Sequence, residues 1–298
     1  MKPFERSLYP FEPHYLDTGG GVRMHYLDVA PPGGAQGTVL LVHGNPSWSF
    51  YYRDLVRELA TTHRCVAPDH VGMGMSDKPG DGAYDYSLER RVKDLTLLVE
   101  TLAPAGPLTL VVHDWGGMIG LAWAVRHLAR VQRLVVLNTA AFPLPKGKAL
   151  PWQLSLTRTP LGALLVRGFN AFAYGAAVTG LTRTKMTPAV RAGYLAPYDS
   201  WAARLATLRF VQDIPLSPGA RGYDVVEATA AKLHELRATP TLVCWGGKDF
   251  VFDDHFLAEW RARLPEATVH YLADAGHYVL EDAAGELVPE IAAFVRAA

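Results

Sequence analysis

Three short segments carry side chains able to do nucleophilic chemistry, and each follows an apolar run. Leu110-Val111-Val112-His113-Asp114-Trp115-Gly116-Gly117 sets a carboxylate where a buried strand turns into a helix. The small residues after the turn let the backbone crowd the helix start, and such a turn presents one side chain at the end of the strand. An ionised carboxylate needs no base to attack carbon, and the product is an ester to the protein. Alone, an Asp before a helix is most often a cap. Asp114 has company, however. Asp274-Ala275-Gly276-His277 follows the last apolar run and offers a base. Trp245-Gly246-Gly247-Lys248-Asp249 follows the run before it, and Asp249 can hold the His277 imidazole in one tautomer. A fourth segment, His43-Gly44-Asn45-Pro46, follows an early run. The Asn45 amide and the Trp115 indole N–H are both donors, suited to a leaving halide or a developing carboxylate.

These residues need a scaffold that brings strand ends together. Apolar runs predict strands over 22–29, 38–42, 64–68, 108–112, 133–137, 241–244 and 268–272. Helical spacing predicts helices over 49–60, 88–102, 118–127, 254–264 and 286–295. Strands that are apolar throughout and alternate with helices form a mostly parallel sheet covered on both faces, an α/β fold. From about 142 to 218 strand signals vanish, and helical stretches broken by Pro take over. The chain therefore reads as a core over 1–141, a helical cap over 142–218, and the rest of the core over 219–298. An insertion at the carboxyl edge of such a sheet covers the usual ligand crevice. Trp152, Leu154, Leu161, Leu164, Leu165, Phe169, Phe172 and Tyr174 are numerous enough to line a long alkyl channel there.

Composition excludes several functions. The 298 residues are 49% hydrophobic and 19% charged, which rules out disorder. Twenty-nine Lys and Arg balance 29 Asp and Glu, so there is no basic footprint for nucleic acid. An apolar small-molecule substrate fits better. Cys65 and Cys244 lie in strand-like runs and read as buried free thiols of a reducing compartment. The amino terminus lacks the apolar stretch of a signal peptide, and the apolar runs fall short of a bilayer span. A cytoplasmic protein without a transmembrane segment is expected. No nucleotide loop or clustered metal-ligand spacing implies a cofactor or metal.

Taken together, His-Gly-Asn-Pro at 43–46, Val-His-Asp-Trp-Gly-Gly at 112–117, Gly72-Met73-Gly74-Met75-Ser76-Asp77-Lys78-Pro79 and the Asp249 and His277 segments resemble haloalkane dehalogenases of the α/β-hydrolase superfamily. The resemblance spans nearly the whole chain. Epoxide hydrolases share His-Asp-Trp-Gly, but they usually carry an aromatic at the Asn45 position and need two cap tyrosines, for which Tyr174, Tyr194 and Tyr198 are candidates. Asn45 to Arg53, Asn138-Thr139-Ala140-Ala141-Phe142-Pro143 and Pro197-Tyr198-Asp199-Ser200-Trp201 narrow the match. They resemble the β-lactone decarboxylases of bacterial long-chain olefin biosynthesis, which turn cis-3,4-dialkyl β-lactones into cis-alkenes and carbon dioxide. That resemblance implies Asp114 as nucleophile, His277 as base, Asp249 as its partner, and Asn45 with Trp115 as anion-stabilising donors. It also implies assembly with the other enzymes of olefin biosynthesis. Whether attack falls on a ring carbon or the carbonyl is open from sequence.

Overall fold

Eight strands form one sheet: β1 (His14–Asp17), β2 (Arg23–Val29), β3 (Thr38–Val42), β4 (Arg64–Pro68), β5 (Leu108–Asp114), β6 (Val131–Thr139), β7 (Thr241–Gly246) and β8 (Thr268–Leu272). The structure is a computed structural model that describes residues 1–103 and 105–297. The strand order is β1-β2-β4-β3-β5-β6-β7-β8. Strands β3 to β8 run parallel, while β2 is antiparallel to both β1 and β4. The antiparallel partner of β2 on its outer side is the short β1, which the sequence pattern did not disclose. Strand order reverses at β3, whose neighbours are β4 and β5. A ligand crevice opens at the carboxyl ends of strands at such a reversal. Asp114 ends β5, and Asn45 follows β3 by three residues.

Alternation along each strand divides the core into two layers. Leu40, Val42, Leu110 and Val112 face one layer, and Val39, Leu41 and Val111 face the other. The first helices in the chain are α1 (Arg53–Leu59), α2 (Leu88–Leu102) and α3 (Trp115–Ala124). The expected 49–60 helix is split: Ser49–Tyr52 is a 3₁₀ turn, and only then does α1 begin. The expected 118–127 helix begins earlier, at Trp115, directly after Asp114. Between β6 and β7 come α4 (Trp152–Thr157), α5 (Pro160–Phe169), α6 (Ala171–Thr179), α7 (Pro188–Leu195), α8 (Leu205–Gln212) and α9 (Tyr223–Lys232). No described residue between Thr139 and Thr241 is in a strand. The chain closes with α10 (Asp254–Arg263), α11 (Val279–Asp282) and α12 (Ala284–Arg296). Helices α2, α3 and α10 cover the first layer, through Leu95, Ile119 and Phe256. Helices α1, α11 and α12 cover the second, through Leu55, Val279 and Leu287. Cys65 and Cys244 are buried, and burial pushes the Cys65 thiol up to about 12.

Candidate active site

The turn after β5 is forced into a shape that points Asp114 away from the sheet. Its φ is +51°, the left-handed region that costs a non-glycine residue free energy. The neighbours leave little choice. A Cβ on Gly116 would overlap the Val42 carbonyl oxygen, and one on Gly117 would overlap the Thr139 hydroxyl. Thr139 Oγ1 also donates to the Asp114 carbonyl, which pins the turn to β6.

The Asp114 carboxylate has two unlike oxygens. Oδ1 accepts the backbone N–H of Asn45 at 2.5 Å. The nearby backbone N–H of Trp115 also favours the charged form of this carboxylate. Gly44 is needed for the approach, because a Cβ there would strike the carboxylate. Oδ2 lies 3.9 Å from His277 Nε2. The other imidazole nitrogen, Nδ1, is 2.7 Å from Asp249 Oδ2. The three residues come from the carboxyl ends of β5, β7 and β8, and all three are buried. Burial pushes Asp114 up to about 6, against the lowering effects of His277 and the two N–H donors. Burial acts to lower His277, but the Asp249 and Asp114 carboxylates outweigh it and hold it above the ordinary imidazole range.

The donors differ from expectation in detail. The Asn45 side chain is not wholly free, because Nδ2 already donates to the Thr207 carbonyl at 3.0 Å; one N–H remains. The Trp115 ring borders the cavity above Asp114, and its indole N–H has no protein partner among the described residues. The Arg91 guanidinium, 2.8 Å from Asp213, sits behind Trp115, 5.1 Å from its ring.

Above these groups lies a cavity of about 560 Å³. Asn45, Asp114, Trp115 and His277 form its floor. Its walls are almost entirely apolar and come mainly from α4, α5, α6 and the segment 211–216, with Phe250 and Phe252 on one side. Of the eight expected channel residues, Trp152, Leu154, Leu165 and Phe172 line it. Leu161, Leu164, Phe169 and Tyr174 do not; they are exposed on the outside of the helices. None of Tyr174, Tyr194 and Tyr198 lines the cavity: Tyr174 faces out, Tyr194 donates to Glu281, and Tyr198 donates to Ser47. Among the described residues, no group of three His, Cys, Asp or Glu side chains is arranged to hold a metal ion.

This geometry agrees with what the chain is similar to. The family described as alpha/beta hydrolase fold matches residues 37–284. The chain belongs to the α/β-hydrolase fold family. Within that family it is 52% identical, over 97% of its length and 90% of the relative's, to the cis-3-alkyl-4-alkyloxetan-2-one decarboxylase of Shewanella oneidensis. It is 34% identical to a haloalkane dehalogenase of Mycobacterium marinum, over 95% of this chain and 93% of that one. The crystal structure of haloalkane dehalogenase DbeA from Bradyrhizobium elkani superposes with a TM-score of 0.83 at 25% identity, covering 96% of this chain and 97% of that chain.

Two supports of this α/β-hydrolase site had been given no role from the sequence, although Asn138 opens one of the segments that carry the family resemblance. Asn138, at the end of β6, also has a left-handed backbone, with φ +28°. Its Nδ2 donates to Asp249 Oδ2 at 3.1 Å and to the Gly246 carbonyl at 3.0 Å, and its Oδ1 accepts the Gly246 N–H at 2.8 Å. It fixes the carboxylate that fixes the imidazole. The available signal was a buried Asn ending an otherwise apolar strand. Asp282 is the second. Its Oδ2 accepts the N–H of Gly276 at 2.7 Å and of Thr182 at 2.8 Å; its Oδ1 accepts those of Arg183 at 3.1 Å and Thr184 at 3.0 Å. One carboxylate thereby joins the loop between α6 and α7 to the residue beside His277. His113 adds a third support from below: burial keeps it neutral, and its Nε2 donates to the His277 carbonyl at 2.9 Å.

Proposed function

We propose that this chain is a cis-3-alkyl-4-alkyloxetan-2-one decarboxylase, releasing a cis-alkene and carbon dioxide. The observation that carries this reading is the 52% identity over 97% of the chain to an enzyme of that name, against 34% to a dehalogenase. The apolar cavity, roofed by residues 142–218 acting as a cap, suits a lactone with two long alkyl chains.

Asp114 is the nucleophile through Oδ2, the oxygen not engaged by the Asn45 N–H. The Asn45 backbone N–H, which could have held a carbonyl oxyanion, is occupied by Asp114 itself. This favours attack at C4 of the ring rather than at the carbonyl. The new Oδ2–C4 bond forms as the C4–O bond breaks, and the freed carboxylate meets the Trp115 indole N–H and the remaining Asn45 N–H. The C3–carboxylate bond then breaks. Its electron pair becomes the alkene π bond, carbon dioxide leaves, and the Asp114 carboxylate is expelled unchanged. No water or net proton is consumed. Inversion at C4 followed by anti elimination carries cis substituents into a cis-alkene. His277, held by Asp249, supplies positive charge beside Oδ2 in its protonated form.

We assign the chain to the cytoplasm, a reading supported by its two buried free thiols. Assembly with the enzymes that make the lactone follows from the same functional assignment.

The test uses the purified chain and a cis-β-lactone carrying ¹⁸O in the ring position. The expected products are cis-alkene and carbon dioxide holding the label, with none in Asp114. Absence of alkene sinks the reading. A second reading, haloalkane dehalogenase, is favoured by Asp114, His277 and the free Trp115 N–H. There, His277 would activate water against the ester, so turnover of a bromoalkane in H₂¹⁸O would release halide and label Asp114.

A further inference from the structure

The chain is neutral as a whole, but its charge is unevenly placed. Residues 142–218 hold nine Lys and Arg and only two Asp, a net charge of +7 set against −7 for the rest. Three of the nine are neutralised by carboxylates elsewhere: Lys148 by Asp253, Arg183 by Asp274 and Glu286, and Arg209 by Asp81. Lys146, Arg158, Arg167, Lys185, Arg191 and Arg204 have no carboxylate at ion-pair distance among the described residues.

The same stretch carries most of the exposed large apolar side chains. Eight of the thirteen found among the described residues lie in it, including Phe169 at 73% exposed and Trp152 at 70%. Helices α5 and α6 supply five of these. Together they span twenty residues with a single charge, Arg167, but they are bent by 78°. No single helix among the described residues is long and apolar enough to cross a membrane. A bent, half-exposed apolar pair flanked by cations suits the plane of a lipid surface rather than a crossing of it. Trp152 and Leu216 belong to this exposed set and also line the cavity, so the patch runs to the cavity's rim.

We propose that this face docks on an anionic lipid bilayer, with the rim against the acyl region. The unpaired cations meet the headgroups, and the exposed Trp, Phe and Leu enter the boundary below them. A protein partner would satisfy the apolar area as well. The bilayer is favoured because the excess charge, the interfacial side-chain mix and the mouth of an apolar cavity coincide. That an oily ligand then enters without crossing water rests on the function proposed above; the docking itself does not.

Flotation of the full chain with vesicles tests it, with no turnover needed. Binding is expected to vesicles of phosphatidylcholine with phosphatidylglycerol, to weaken as salt is raised, and to be far lower with phosphatidylcholine alone. The double variant Lys146→Glu/Lys185→Glu and the single variant Phe169→Glu should each lower binding by about tenfold or more. Neither touches the cavity, so alkene release from a soluble short-chain lactone should stay unchanged, and circular dichroism should report a native fold. No binding to the anionic vesicles, or binding indifferent to phosphatidylglycerol and salt, overturns the proposal. A dimer in sedimentation velocity that Phe169→Glu dissociates, without vesicle binding, would assign the face to a second copy instead and also overturn it.

Discussion

The floor and the roof of the cavity are built on opposite principles. On the floor, Asp114, Asp249 and His277 are each held by hydrogen bonds to backbone or to one another, and two non-glycine residues accept left-handed backbone to keep them so. The roof is apolar, made of short helices, and half of the side chains expected to line it face outward instead. A floor fixed by polar geometry sets what reaction occurs. A roof fixed by area sets which alkyl chains are admitted, and area is graded where geometry is not.

The comparison can be tested from its extreme inward. Asp114→Asn should lower alkene release by about 10⁴-fold or more for every substrate, since an amide does not attack C4. The same change should raise Tm. Burial lifts the Asp114 carboxyl to about 6, so at neutral pH its ionised form costs the fold up to about 3 kcal/mol relative to the unfolded chain. Asp249→Asn should cost about 10²- to 10⁴-fold in kcat with little change in KM, because the imidazole loses its orientation and its charge partner. In wild type, kcat/KM should fall about tenfold per unit as pH drops below about 6, as Asp114 takes up a proton and ceases to be a nucleophile. A flat profile between pH 7 and 5 would contradict this assignment. The smallest effect is expected in the roof: Phe172→Ala should change kcat/KM by about tenfold, mostly in KM, and more for long chains than for short. If that change matched Asp249→Asn in size and ignored chain length, the division between floor and roof would be broken.

The floor was legible in the sequence because local rules govern it. Asp114, Asp249, His277 and Asn45 each follow an apolar strand, and the strand ends meet wherever a parallel sheet forms. Strands β3, β4 and β8 and helix α2 occur at the residues their patterns predict. What escaped were long-range decisions. The pairing of β2 with both β1 and β4 depends on strand order, which periodicity does not encode. Asn138 and Asp282 act on residues 111 and about 100 positions away, through bonds that no spacing announces. In the roof, Leu165 and Leu164 are neighbours in sequence and equally apolar, yet only Leu165 lines the cavity. Which side of a short helix faces inward is decided by its packing partners, not by its own composition.

Asp282 has a mechanical consequence. Its carboxylate grips Gly276 on one side and Thr182, Arg183 and Thr184 on the other. Charge-assisted bonds of this kind are worth about 1.5–3 kcal/mol each. Swinging α6 and α7 away from the sheet would break several at once and drag the imidazole loop along. The α6–α7 side of the enclosure is therefore tied to the imidazole loop, whereas Trp152, Leu216 and Phe250 line the cavity and are exposed, so passage beside them would leave the Asp282 bonds intact. The four amides gripped by Asp282 should accordingly exchange their hydrogens together, as one slow cooperative unit.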